Sequence, residues 1–232
     1  MAARQMNAVS LLSRQALFSG MPESELTRMA EVCALRKLSR GEVLFTGGQT
    51  CEGLYLVADG QIKLCAKSDA GQEKVIEVVG EGDCVGDALM FTDAGHGVHA
   101  SALCDTLVLV VPRHVLLDEL EHNPALAIRM LTGLSRRLNG LVREIEAVTL
   151  HSGVKRVVDY LLRAEAPRNE AAPALSSRTV SLPASKGTIA SLLSVTPEHF
   201  SRILHELQAK GLIAVQRRDI QILDAQKLAS YA

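Results

Sequence analysis

The spacing of hydrophobic residues changes along the chain, and each change indicates a different type of secondary structure. Apolar positions in Val9–Phe18 and Pro22–Leu35 have helical spacing, and Pro22 fits a first helical turn. Short apolar runs then alternate with turn signals up to Pro112. Their separation, about a dozen residues, predicts a sandwich or barrel of short strands rather than a parallel sheet.

Asp59-Gly60 is the clearest of these turn signals. It separates the apolar runs 54–57 and 62–65. Because Asp-Gly readily adopts the positive φ angles of a two-residue turn, we expect a tight β-hairpin here. Further strands are predicted over 74–79, 98–104 and 107–111.

Residues 125–150 predict one long helix, since they contain no proline and have apolar residues at heptad spacing. The heptad residues, as we call them, are Leu131, Leu134, Leu138, Leu141, Ile145 and Val148. The charged residues lie mostly beside this narrow apolar face, which favours a two-stranded coiled coil and a symmetric dimer. The alternative is a helix that packs on its own domain.

A segment rich in Ala, Pro and Ser at 164–177 predicts a loop, after which two short helices follow. Ser185 suits the N-cap of the first helix, Ser194-Val195 the turn, and Thr196 with Pro197 the start of the second helix. The second helix is expected to pack inward through Val195, Phe200, Ile203, Leu204 and Leu207.

The remaining positions of the second helix form its outward face, which we call the reading face. Its residues are Pro197, Glu198, Ser201, Arg202 and His205. Arg202 can donate two hydrogen bonds to guanine, Glu198 can accept one from cytosine, and Ser201 can bond to a base or a phosphate. Two strands follow, 211–215 and 220–223, joined across Gln216–Asp219.

This pattern predicts a winged helix-turn-helix that binds double-stranded DNA. We expect further DNA contacts from Thr196 and Pro197, from Ser185 and Lys186, and from the wing arginines, Arg217 and Arg218.

The net charge supports DNA binding only when the N-terminal and C-terminal parts of the chain are counted separately. Residues 1–150 have 14 Lys and Arg against 19 Asp and Glu, a net charge of −5, and residues 151–232 have 11 against 7, a net charge of +4. A basic C-terminal segment beside an acidic N-terminal one is expected when only one domain meets a polyanion.

Other classes of protein find little support in the sequence. No apolar run approaches the roughly 18 residues of a membrane span, and we expect a cytoplasmic protein. The five cysteines have no CxxC pair and are interpreted as free, mostly buried thiols. An enzyme with a small-molecule barrel is the competing class, but the sequence has no glycine-rich phosphate loop, nucleophile elbow or metal-spaced His/Glu set. A third hypothesis is a non-enzymatic ligand sensor that has lost DNA binding, which the intact reading face disfavours.

Together these features resemble the Crp/Fnr family of bacterial transcription regulators over nearly the whole chain. The matching positions are Gly60, Gly82-Asp83, Gly86-Asp87, the long helix, and Thr-x-Glu-x-x-Ser-Arg at Thr196, Glu198, Ser201 and Arg202. The resemblance implies a half-site of the TTGAT type, and so a palindrome like TTGAT-N4-ATCAA. It also implies RNA polymerase as a partner, and activation as the commoner mode.

A narrower resemblance is to the Dnr-type denitrification regulators, which respond to nitric oxide. It rests on Gly71–Val78, Ala88–Phe91 and Glu144–Glu146. It implies a response to nitric oxide or low oxygen, with haem as a possible cofactor and His96, His99 and His151 as candidate ligands. The alternatives are that these histidines are ordinary surface residues, and that the barrel binds a different small-molecule effector.

Three kinds of binding site known in the family are disfavoured. Members that bind cyclic AMP use a Gly-Glu pair and, about ten residues on, an Arg-Ser pair, but no arginine lies between Asp87 and Arg113. A buried phosphate without its cation is costly, so cyclic AMP is not expected. The sequence has no N-terminal cysteine cluster to hold an iron-sulfur cluster, because the first cysteine, Cys33, has no close partner in sequence. The Cys-x-His pair through which the family's carbon monoxide sensor binds haem is also missing.

We therefore predict an α+β protein in three segments. These are a sensory β-barrel of the cyclic-nucleotide-binding, jelly-roll type with N-terminal helices (1–122), a dimerisation helix (123–150) and a winged helix-turn-helix domain (151–232).

Overall fold

A computed structural model describes residues 8–165 and 178–231 of the chain. Its internal contacts divide the chain into two compact units, one ending at Gly140 and the other beginning at Leu141. This division falls inside the long helix. The three-segment division remains a prediction.

The first unit opens with helix α1 (Ala8–Ser13), a 3-10 turn (Ala16–Phe18), helix α2 (Glu23–Val32) and strand β1 (Ala34–Leu38). The helix predicted to reach Leu35 was wrong at its end. Ala34–Leu38 pairs along its whole length with a later strand, and these ladder hydrogen bonds override the local helical spacing. Pro22 is the residue before α2 rather than part of its first turn.

Seven further strands complete the β-structure of this unit. They are β2 (Val43–Phe45), β3 (Gly53–Asp59), β4 (Gln61–Lys67), β5 (Glu73–Gly80), β6 (Cys84–Val85), β7 (His99–Ala102) and β8 (Thr106–Pro112). They form two antiparallel four-stranded sheets, ordered β1-β8-β3-β6 and β2-β7-β4-β5. The predicted jelly-roll type of fold is confirmed, as two facing sheets.

The hairpin predicted at Asp59-Gly60 was wrong. β3 and β4 belong to different sheets, so this turn carries the chain from one sheet to the other. Gly60 does have the positive φ expected of it, +86°. A turn signal specifies local backbone angles, and the partner of each strand is decided by packing over longer distances. The β4–β5 connection, with Gly71 at φ +78°, is a true hairpin.

The first unit has two apolar cores because β3 is buried on both faces. Tyr55 and Val57 point into the core between the sheets, whereas Leu54 and Leu56 point into a core shared with the helices. This alternation follows from the two-residue period of a strand. Helix α3 (Arg113–His122), which was not predicted, follows β8.

Helix α4 (Pro124–Leu150) confirms the predicted long helix. Its first turns are anchored in the first unit through Leu126 and Met130, which are buried in the core shared with the helices.

The second unit contains helix α5 (Gly153–Glu165), strand β9 (Arg178–Ser181), α6 (Lys186–Leu192), α7 (Pro197–Ala209), β10 (Ile213–Gln216), β11 (Asp219–Ile222) and α8 (Ala225–Ala229). The strands form one antiparallel sheet in the order β10-β11-β9, which confirms a winged helix-turn-helix and adds a strand that was not predicted. The loop expected from Ala164 begins later, since α5 continues to Glu165. The rest of that loop, 166–177, lies outside the described residues.

Candidate nucleic-acid interface and sensor site

Both helices of the helix-turn-helix are capped at their N-terminal ends, as the sequence predicts. The Ser185 hydroxyl accepts a hydrogen bond from the Thr188 N–H at 3.1 Å, and the Thr196 hydroxyl accepts one from the His199 N–H at 3.1 Å. Pro197 occupies the first turn of α7, where it removes no helical hydrogen bond. Between the helices Ser194 has a left-handed backbone, φ 55°.

Helix α7 separates its apolar and polar sides as predicted. Four of its residues are buried in the second unit: Phe200, Ile203, Leu204 and Leu207. The reading face is exposed at all five positions. The fifth residue expected to pack inward, Val195, is half-buried. Burial of one side therefore fixes the helix and leaves the other side free to enter a groove.

Glu198 is held as a hydrogen-bond acceptor at the start of α7. Hydrogen bonding from its own backbone N–H, and then from the Thr196 hydroxyl, lowers the pKa of the Glu198 carboxyl. Arg202 lies one helical turn further on, with Nη2 3.5 Å from the His199 ring Nδ1. An ionised acceptor and a permanent donor thus lie side by side, a combination suited to the edges of base pairs.

The wing turn is shorter than predicted. Gln216 and Asp219 are paired within the two strands, so only Arg217 and Arg218 form the turn, and Arg217 has the positive φ, 57°, of a tight hairpin turn. Both arginines are exposed, as are Ser185 and Lys186 at the start of α6. The Arg218 carbonyl accepts a hydrogen bond from the Leu182 N–H at 2.9 Å, which ties the wing to the segment after β9.

The apolar face of α4 is largely bare. Five of the heptad residues are exposed, namely Leu131, Leu138, Leu141, Ile145 and Val148, with exposed fractions from 40% to 68%. Leu134 differs, because it is half-buried and packs against the core shared with the helices. Ile128 and Val142 add two further exposed apolar side chains to the same helix.

Arg137 of α4 contacts Asp87, one of the positions on which the family resemblance rests. Arg137 donates hydrogen bonds to Asp87 at 2.9 Å and to Glu77 of β5 at 2.7 Å. Sequence reasoning missed Arg137, because its partners lie 50 and 60 residues away. Arg113, the first arginine after Asp87 in the sequence, is engaged with the Met90 and Thr92 carbonyls and with Asp93.

The three candidate histidines have different surroundings. The His96 ring stacks on Phe45 with 3.6 Å between ring centroids, and its buried Nε2 has no hydrogen-bond partner among the described residues. Burial lowers the pKa of this imidazole. His99 Nδ1 accepts a hydrogen bond from the Gly47 N–H at 3.3 Å.

His151, just beyond α4, lies near a carboxylate of α5. Its side chain is 36% exposed, and Nδ1 lies 3.8 Å from an Asp159 carboxylate oxygen. That distance is too long for a hydrogen bond, and the buried Nδ1 has none within the described residues. A metal-binding histidine is usually oriented by a hydrogen bond from its other ring nitrogen to a carboxylate or carbonyl, and His151 and Asp159 would have to come closer to form one.

The cysteines are free thiols. Cys51 and Cys65 are buried, and the other three are half-buried. Burial raises the pKa of the Cys33 thiol to about 11 and that of Cys84 to about 12. Thiols held protonated in this way are weak nucleophiles and weak metal ligands. In the described part of the chain, no helix combines the length and the apolar character needed to cross a membrane.

Two family models match the chain, one for each unit. A model described as a cyclic nucleotide-binding domain matches residues 35–123, and a model described as a Crp-like helix-turn-helix domain matches residues 155–231.

Individual proteins match over most of their length. The crystal structure of DNR from Pseudomonas aeruginosa is 31% identical, covers 96% of each chain and superposes with a TM-score of 0.50. The anaerobic regulatory protein of Pasteurella multocida is 28% identical over 87% of this chain and 73% of its own. The cyclic AMP receptor protein of Thermus thermophilus is 26% identical over 93% and 96%.

Proposed function

The chain belongs to the Crp/Fnr family of DNA-binding transcription regulators, and from that premise we propose that it acts as a homodimer on a palindrome of the TTGAT-N4-ATCAA type. Its relatives are regulators and not enzymes. The exposed reading face of α7 carries the proposal, because Glu198, Ser201 and Arg202 share one side of a helix whose other side is buried.

The homodimer pairs through the exposed face of α4. Large apolar side chains on one face of a surface helix are costly in water, and a second copy of the same helix supplies a self-complementary partner. A two-fold dimer presents two copies of α7 to half-sites about one DNA turn apart, which is why a palindrome is expected. RNA polymerase is the partner through which a bound activator of this kind acts.

The signal in this proposal is nitric oxide or low oxygen. DNR and the anaerobic regulatory protein of Pasteurella multocida, both similar along most of the chain, favour this class. Haem would supply an iron to which a gas binds, and His151 is the ligand we propose. His96 fits less well, since Phe45 covers its ring and its Nε2 is enclosed. His99 already uses Nδ1 as an acceptor.

A second candidate is the same regulator with a different small-molecule effector in the barrel. The match to the cyclic AMP receptor protein of Thermus thermophilus favours it. Cyclic AMP itself is a poor fit, because its phosphate needs an available cation. Arg137 is already paired with Asp87 and Glu77. Arg113 is paired with Asp93.

The test is a titration of the purified protein onto the TTGAT-N4-ATCAA duplex and a scrambled duplex, at one stated salt concentration. We expect the palindrome to be bound at least about 1,000-fold more tightly than scrambled DNA. Reconstitution with haem under anaerobic conditions, with and without nitric oxide, then tests the signal. If the protein binds the palindrome more tightly only when haem and nitric oxide are both present, the nitric oxide proposal is supported. If neither addition changes the affinity, the second candidate is favoured.

The haem ligand is tested by spectroscopy without DNA. His151→Ala should change the absorption spectrum of the haem-loaded protein, because the iron loses a nitrogen ligand. His122→Ala is the matched control, since His122 is an exposed histidine of α3. An unchanged spectrum in His151→Ala, or the same change in both variants, contradicts the assignment.

A further inference from the structure

Arg156 on α5 joins three backbone carbonyls from two other segments of the second unit. Its Nε donates to the Leu193 carbonyl at 2.8 Å and its Nη2 to the Ser194 carbonyl at 3.1 Å. Its Nη1 donates to the His151 carbonyl at 2.7 Å. One guanidinium therefore connects the turn of the helix-turn-helix with the residue that follows α4.

All three carbonyls lie at or just beyond the C-terminal ends of helices. Leu193 is the C-cap of α6, and His151 comes directly after the last residue of α4. The final carbonyls of a helix have no partner within it and carry partial negative charge. Arginine suits this position because its planar fork of five N–H donors can serve several acceptors in fixed directions.

The turn held by Arg156 is one that is costly for its sequence. Ser194 has φ 55°, a region that non-glycine residues seldom adopt. Its carbonyl is bound by Arg156, and α7 begins only three residues later at Pro197. A fixed Ser194 carbonyl therefore restricts the direction in which α7 leaves the turn.

The start of α5 also packs closely against the start of α7. A Cβ placed on Gly153 would lie 3.1 Å from Val195 Cγ1 and 3.4 Å from His199 Nε2. The end of α4, the start of α5 and the start of α7 are thus held at short range around the Arg156 hydrogen bonds.

We infer that Arg156 is a positioning residue for DNA recognition, which fixes the direction of α7 relative to the C-terminal end of α4. In a dimer joined through α4, that direction sets the distance between the two reading faces. Arg156 therefore controls which spacing between half-sites the protein accepts. This inference rests on the proposed dimer and its palindrome.

The experiment compares full-length wild type with Arg156→Gln, Arg156→Lys and the control Arg163→Gln, an exposed arginine of the same helix. Each protein is titrated onto palindromes with three, four, five and six central base pairs and onto scrambled DNA. Melting temperature is measured alongside. Lysine keeps the positive charge beside both helix ends but replaces the fork with a single nitrogen.

We expect wild type and Arg163→Gln to prefer the N4 palindrome over the N5 palindrome by about tenfold or more. In Arg156→Gln and Arg156→Lys this preference should fall to about twofold or less. Scrambled DNA should be bound within about twofold of wild type, since the wing arginines still contact phosphate. Spacer preference is a readout that a purely structural role would not move.

Three results overturn the inference. One is an unchanged spacer preference in Arg156→Gln. Another is an equal loss on all DNAs together with a lower melting temperature, both restored by Arg156→Lys, which would show a role in folding alone. The third is a wild type that binds N4 and scrambled DNA equally, which refutes the proposed palindrome and, with it, the role given to Arg156.

Discussion

At the scale of single residues, Arg202 and Arg217 carry the same exposed charge on different elements. Arg202 lies on the reading face of α7 and Arg217 in the wing turn. Replacing Arg202 by Ala should weaken binding to the palindrome by about 1–3 kcal/mol and relax base preference, because a bidentate contact to a base is lost. Fluorescence anisotropy with the palindrome and with scrambled DNA measures both effects.

Arg217→Ala is the matched control for this prediction. A phosphate contact carries no sequence information, so its loss should weaken palindrome and scrambled DNA about equally. An equal loss in Arg202→Ala would remove Arg202 from base recognition.

Gly60 and Gly71 have similar positive φ angles but different neighbours. An added Cβ would meet Thr106 Oγ1 at 2.5 Å and the Asp105 carbonyl at 2.6 Å at Gly60, whereas at Gly71 nothing lies within 4 Å. Gly71→Ala should lower the free energy of unfolding by about 1 kcal/mol through its φ alone. Gly60→Ala should cost about 3 kcal/mol because backbone must also move. Thermal unfolding followed by circular dichroism compares them, and equal costs would contradict the steric argument.

At the scale of elements, the first turns of α4 are buried in the first unit, whereas most apolar side chains further along the helix are exposed. Leu138→Glu places a charge on the apolar face and should convert the dimer to monomer, because a buried unpaired carboxylate is strongly unfavourable. The neighbouring Asn139→Glu adds the same charge at an exposed position beside that face and should leave the dimer intact. Light scattering after gel filtration gives the mass of each variant. Two dimeric variants would argue against pairing through α4.

Elements set by local chemistry were predictable from sequence, and those set by distant partners were not. The caps at Ser185 and Thr196 depend on residues three positions away, so their helices were predicted well. β1 depends on β8, about 70 positions along the chain, and its first two residues were assigned to the preceding helix. The Arg137 and Arg156 hydrogen bonds likewise reach residues that no local pattern connects with them.

At the scale of the whole molecule, opposite net charges lie on the two parts of the chain divided after Leu150, −5 before and +4 after. Affinity for DNA should fall steeply with salt, by a slope of about 0.9 in log units per neutralised phosphate. Since a dimer has two wings, Arg217→Ala should reduce that slope by about 2. Titrations at several salt concentrations measure it. An unchanged slope would mean that the wing turn does not contact phosphate.

The contact of Arg137 with Asp87 and Glu77 has a consequence for the sign of any ligand admitted beside it. The Arg137 guanidinium is already bonded to two carboxylates, which offset its positive charge. An anion that approached Arg137 would have to compete with both carboxylates and lose hydration, whereas a neutral molecule would meet neither penalty in full. We therefore expect an effector that binds beside Arg137 to be neutral rather than anionic.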